Sequence, residues 1–216
     1  MKDLSCVLAG LTRLLLPAVL AVFWSKKANV RLFPAISAFL VCFPIFIVAS
    51  GIRSGFSRED MIGFYVRQGI LFGIFEEGGK FLMLRYALTS CKSRKDAVTY
   101  GIGHSAYELF GSGLACFGLV GTDNAISAIF PVAIWSVITG ALWTVGLTVI
   151  IFYGIDKGKS RITLPSAMLL HALCNMSQGM LIESAAFAVN LLFYAVIFVC
   201  AYICWKKMGE DQTEYL

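Results

Sequence analysis

The stretch GIFEEGGKFLML, residues 73–84, sets Glu76, Glu77 and Lys80 within five positions of an otherwise apolar run. An ionised side chain near the centre of a bilayer costs roughly 2.5 to 3.5 kcal/mol on insertion scales, so three of them facing lipid would cost on the order of 8 to 10 kcal/mol. They must therefore face a protein interior or water. On a helix Lys80 lies four residues from Glu76 and three from Glu77, within reach of either. It can neutralise one carboxylate, which leaves the other for a different task.

The rest of the chain supplies the membrane. Of its 216 residues 58% are hydrophobic and 14% charged, with a mean hydropathy of +0.78. That is too apolar for a soluble domain of ordinary composition. Seven apolar segments, near 4–24, 30–50, 61–88, 96–120, 126–153, 163–181 and 185–205, each approach the roughly 20 residues that cross a bilayer as a helix. The expected fold is an all-α polytopic membrane helix bundle of about seven transmembrane helices, within a range of six to eight, forming a single domain over 1–216. The fifth segment is long enough to tilt, kink at Gly140 or break. The first is read as a membrane helix and not a cleavable signal, because Arg13 interrupts it and no small-x-small site precedes Lys26 and Lys27. Arg13 then needs a partner within the membrane.

Lys and Arg placement sets the expected orientation. Lys26, Lys27 and Arg31, then Lys92, Arg94 and Lys95, then Lys157, Lys159 and Arg161, and finally Lys206 and Lys207 mark alternate connections. These should be cytoplasmic, with the N-terminus outside, the C-terminus inside and a bacterial cytoplasmic membrane as the location. In the other connections Arg53 and Arg58 are offset by Glu59 and Asp60, and Asp123 and Glu183 add negative charge. The net charge of +5 is topology charge and calls for no nucleic-acid partner. Seven scattered cysteines without a CxxC pair read as small packing residues, and Trp135, Trp143 and Trp205 as lipid-packing or interfacial anchors.

Both histidines of the chain lie in membrane segments and are followed four residues later by a polar side chain. GIGHSAYE holds His104 and Glu108, and HALCN holds His171 and Asn175, each pair on one helical face. With the segment bounds above, Glu76, Glu108 and Asn175 lie about twelve residues from the lysine-rich ends of their helices, and Lys80, His104 and His171 about eight, or roughly 18 and 12 Å. Three helices thus carry polar groups in two shared layers. Gly73, Gly78, Gly79, Gly101 and Gly103 beside them permit close approach of a helix or an extended peptide.

Two carboxylates, two imidazoles and an amide in a water-poor cavity suit peptide hydrolysis, which needs a base for water and donors for an oxyanion. Glu76 or Glu77 with His104 would activate water, and His171 and Asn175 would face the oxyanion. In a second version a divalent ion, zinc by preference, sits on His104, His171 and Glu76 with one position open for water. No HExxH is present. FEEGGK, GIGHSAYE and HALCN, in that order on successive helices, resemble the YhfC family of intramembrane peptidases. They are also similar to the larger group of type II CAAX prenyl endopeptidases and bacterial CPBP and PrsW-like proteases.

The resemblance spans about 60–180. It implies a helical membrane protease whose polar cavity opens toward the cytoplasm, acting on a peptide or membrane-protein substrate with zinc or no cofactor. Glu76 would be the base, Glu77 a supporting carboxylate, His104 the partner of the water, and His171 with Asn175 the oxyanion side. Lys80 follows the glutamates after two intervening residues, not the three of the CAAX-type pattern, so prenylated substrates are not inferred. Glu108 is an added carboxylate: a ligand, an orienter of imidazole or a structural acid. Intramembrane Glu, Lys and His also build ion-coupled transporters, although no duplicated half with interrupted helices is present. A non-catalytic immunity or scaffold protein is the third reading.

Overall fold

The computed structural model describes residues 1–122, 129–180 and 183–210, and the sequence expectations on Asp123 and on the side chains of Gln178 and Glu183 lie outside the described residues. Where the chain is apolar it is helical. The helices are α1 (Lys2–Ala28), α2 (Phe33–Ser54), α3 (Met61–Leu82), α4 (Arg94–Gly118), α5 (Ile129–Asp156), α6 (Ser160–Met180) and α7 (Glu183–Glu210), with a π-helical turn, Met83–Ala87, extending α3. By length and composition alone α1, α2, α5 and α7 can cross a membrane. The other three are interrupted by the polar groups of the sequence motifs. At 22, 25 and 21 residues they too are long enough for a bilayer. The protein is an integral membrane helix bundle.

Local chemistry sets the helix ends. α1 stops at Asn29, whose left-handed backbone (φ 53°) turns its N–H back to the Ser25 carbonyl. Asp60 caps α3 by accepting from the Gly63 N–H at 2.9 Å. A reciprocal capping box between Ser93 and Asp96 starts α4. Between α5 and α6 Gly158 takes φ +65°, and the Lys159 N–H returns to the Gly154 carbonyl. Two boundaries differ usefully from the sequence expectation: α4 and α6 start at 94 and 160, not 96 and 163. The fifth segment is one unbroken helix.

α5 is the central element, in contact with α1, α3, α4, α6 and α7. Its threonines turn their hydroxyls back onto the helix, Thr139, Thr144 and Thr148 donating to the carbonyls of Trp135, Gly140 and Thr144. The two most intimate neighbours of the site are set by glycine. A Cβ on Gly73 would lie 2.6 Å from the Met168 carbonyl oxygen, so α3 and α6 touch backbone to backbone. A Cβ on Gly103 would overlap the Ala35 backbone of α2. The expected close approach is thus made by helices.

Arg13 also finds its partners. Its guanidinium donates to Ser136 Oγ of α5 at 3.2 Å and to Cys116 Sγ of α4 at 2.9 Å. Asn190 of α7 accepts from Cys174 and Ser177 of α6, joining the two helices. All seven cysteines are free thiols.

Gly103→Ala should wedge α2 away from α4 and destabilise the bundle by about 1 to 3 kcal/mol. A thermal unfolding scan in detergent checks this, and an unchanged midpoint would refute the tight backbone contact.

Candidate active site

Helix register brings the three motifs to one level. Glu76 stands eleven residues before Ala87, His104 ten after Arg94 and His171 eleven after Ser160. At about 1.5 Å per residue each lies roughly 15 to 17 Å from the same end of the bundle. The earlier starts of α4 and α6 move both histidines two to three residues deeper than expected. They therefore come level with Glu76, while Lys80 stands seven residues from its helix end and Glu108 and Asn175 fourteen and fifteen residues from theirs, on either side of that level.

The paired glutamates divide their duties. Glu77 and Lys80 are both 0% exposed and joined by a 2.7 Å ion pair. The same Glu77 Oε1 lies 2.7 Å from His171 Nδ1. With Glu77 ionised, Nδ1 carries the proton and donates, so the Nε2 lone pair is free. Glu77 Oε2 is buried without a hydrogen-bond partner.

Glu76 takes the opposite part. Its Oε2 lies 3.4 Å from His104 Nε2 and 3.8 Å from His171 Nε2. Glu108 Oε1 approaches the same His104 Nε2 to 3.2 Å. Glu76, Glu108 and His171 all line a cavity of about 460 Å³, together with Asn175, Thr139 and Trp143. Glu77 and Lys80 do not line it, although Lys80 lies one turn from Glu76.

Two contacts had no sequence signal. Cys42 of α2 places Sγ 3.0 Å from His104 Nδ1, so it orients a site imidazole as well as filling space. Trp143 is buried, with its ring edge-on to His171 at 5.6 Å between centroids. It is a wall of the site and not a lipid anchor, because α5 turns that face inward. The cavity itself runs from Glu76 toward Gln68, Ser136 and Arg53. Its other end is closed by the core of Tyr100, Leu147, Ile151 and Leu84. It therefore opens away from the lysine-rich connections, and a cytoplasmic opening does not agree with the orientation those lysines predict.

The donor set suits a metal ion. Glu76, His104 and Glu108 offer atoms all within 4.8 Å of one another, and His171 Nε2 adjoins Glu76. Imidazole nitrogens and carboxylate oxygens are zinc donors, bound at about 2.0 to 2.2 Å. Donors around one tetrahedral zinc stand about 3.3 Å apart, close to the 3.2 and 3.4 Å from His104 Nε2 to Glu108 and Glu76, while His171 Nε2, 3.8 Å from Glu76, stands outside that group of three. Behind them, Glu77 holds His171 Nδ1 and Cys42 holds His104 Nδ1, the kind of contact by which outer groups aim an imidazole at a metal.

A family model described as YhfC intramembrane metalloprotease matches residues 12–126. The match takes in α1 and α2, which carry none of the three motifs, as well as Glu76, Glu77, Lys80, His104 and Glu108. His171 and Asn175 lie beyond it and are joined to the site by the fold. No curated protein and no solved structure matches the chain.

Lys80→Met should leave Glu77 as an uncompensated buried charge and cost about 3 to 5 kcal/mol. Adding Glu77→Met should recover much of that loss, as measured by unfolding in detergent. Mass spectrometry of the purified protein should find about one zinc per chain, lost in a His104→Ala, His171→Ala variant; equal metal content in both would exclude the histidines as ligands.

Proposed function

This chain belongs to the YhfC intramembrane metalloprotease family, and from that premise we propose that it is an intramembrane endopeptidase hydrolysing a peptide bond of a membrane-associated protein or peptide. The observation that carries the reading is the Glu76 carboxylate set between the Nε2 atoms of two histidines on different helices. A soluble-like packing role does not call for this. One carboxylate and one lysine would balance the charge, yet Glu77 and Lys80 already do so.

On this reading His104, His171 and Glu76 would hold a zinc ion. Zinc would lower the pKa of the attacking water and polarise the scissile carbonyl. Glu108, the most exposed of the four groups with 29% of its side chain accessible, is the base. It accepts a proton as the water oxygen adds to the carbonyl carbon, and returns it to the departing amine nitrogen as the C–N bond breaks. Asn175 lines the same cavity one turn from His171 and donates to the developing oxyanion. Glu77 and Lys80 hold His171 in the tautomer that frees Nε2.

Glu76 is thereby moved from base to ligand, because it alone adjoins both histidines. The lysine-rich ends remain cytoplasmic in this proposal, which places the N-terminus outside and directs the cavity to the opposite face. The bond cleaved then lies toward that outer face. A bacterial cytoplasmic membrane suits such a charge pattern.

The two carboxylates are separable by experiment. Glu108→Gln should lower cleavage of a peptide library by about 10²- to 10⁴-fold while zinc is retained. Glu76→Gln should lose both zinc and activity with the fold intact. Full activity of Glu108→Gln would return the role of base to Glu76, and solute flux into proteoliposomes without cleaved polypeptide would replace the protease by a transporter.

A further inference from the structure

Beside the catalytic cavity lies a second one of about 250 Å³, lined by Phe46, Ser50, Arg53, Ser54, Phe56 and Arg58. The two cavities share Phe46 and Arg53, so they adjoin. Arg53 is the basic residue of the catalytic cavity wall, whose other charged members are the carboxylates Glu76 and Glu108 and the histidine.

The acids nearest in sequence do not neutralise this pair of arginines. Asp60 is occupied in capping α3 through Gly63. Among the described residues neither Arg53 nor Arg58 has an ion pair; both guanidinium groups instead flank the Phe64 ring, at 6.0 and 5.6 Å from its centroid. A helix-dipole role accounts for Arg53 in the last turn of α2. It does not account for Arg58, which lies beyond the helix. Two guanidinium groups around one aromatic ring, with the Ser50 hydroxyl beside them, make a cradle for a carboxylate; the Ser54 hydroxyl is turned to the Gly51 carbonyl.

We propose that this arginine pocket binds an acidic group of the substrate and so sets where the chain is cut. The proposal rests on the protease reading above and adds to it a substrate class. Its reach follows from the helices. Gln68 lines the same cavity as Arg53 and precedes Glu76 by eight residues of α3, or roughly 12 Å. An extended peptide covers that distance in about three to four residues at 3.2 to 3.4 Å each. The favoured substrate carries Asp, Glu or its terminal carboxylate that far from the scissile bond, on the side facing the 55–60 connection.

The test uses the full chain in phosphatidylcholine nanodiscs and a synthetic peptide library made in two halves, one with Asp and Glu, the other with Asn and Gln at the same positions. Mass spectrometry of the products should show the acidic half cut at least about tenfold faster, the worth of one charge-assisted hydrogen bond, with the acid three or four residues from the cut. Arg53→Gln, Arg58→Gln should reduce that ratio toward one. In parallel, fluorescence anisotropy on the Glu76→Gln protein should show tighter binding of labelled acidic peptides, lost in the triple variant. Equal binding of the two halves, or a preference untouched by the arginine substitutions, overturns the proposal. So does a double variant whose sole change is lost stabilisation by phosphatidylglycerol, which assigns the pocket to lipid phosphate. Absence of cleavage by the wild type sinks the protease reading alone, because the binding comparison still decides the pocket.

Discussion

The buried contact of Glu77 with Lys80 and His171 constrains everything around it. Two full charges at 0% exposure are tolerated only with short, direct pairing. Glu77 supplies one oxygen to both the ammonium and the imidazole. The arrangement commits Glu77 to the interior and Lys80 to Glu77, and leaves Glu76, one residue earlier and about 100° around the helix, as the carboxylate that meets the cavity. It also ties α3 to α6 at a level where Gly73 already forces their backbones together. A buried ion pair adds little net stability. What it supplies here is an imidazole held in one tautomer and one orientation.

That level was legible from the sequence in kind but not in register. Polar groups recurring on three apolar segments at similar depth follow from spacing alone, since a helix rises a constant amount per residue. The error of two or three residues at the starts of α4 and α6 is about 3 to 4.5 Å, enough to place a histidine one layer away from its partner. The Ser93–Asp96 capping box that starts α4 was available in the sequence as S-x-x-D. No comparable sign marks Ser160. The division of labour between Glu76 and Glu77 was open for another reason. Either carboxylate can reach Lys80 along the helix, and only the rotation of α3 against α6 decides between them.

The remaining site residues were silent because their contacts run between helices. Cys42 lies in a segment whose composition is apolar throughout, and a thiol among phenylalanines carries no mark of the imidazole that faces it. Trp143 has the hydropathy of a lipid-facing residue, yet it packs edge-on to His171 and Tyr194. Arg13 posed the reverse problem, a charge whose need for partners was plain while their identity was not. Ser136 and Cys116 are about a hundred residues or more away, on helices whose packing against α1 no local pattern encodes. Arg53 was readable as charge, but its place on the cavity wall was not, because that depends on how α2 packs.

On the proposed function, the secondary structure of a substrate constrains what the site can accept. The peptide bonds of an intact transmembrane helix are shielded by their own hydrogen bonds, each carbonyl already accepting from the N–H four residues on. A polypeptide must present a helix end or an unwound stretch, whose freed backbone groups need partners in a region poor in water. The half-buried Asn175 amide on the cavity wall is placed to meet such groups. On the proposed function, the opening toward the 55–60 connection is the side from which a substrate approaches Glu76.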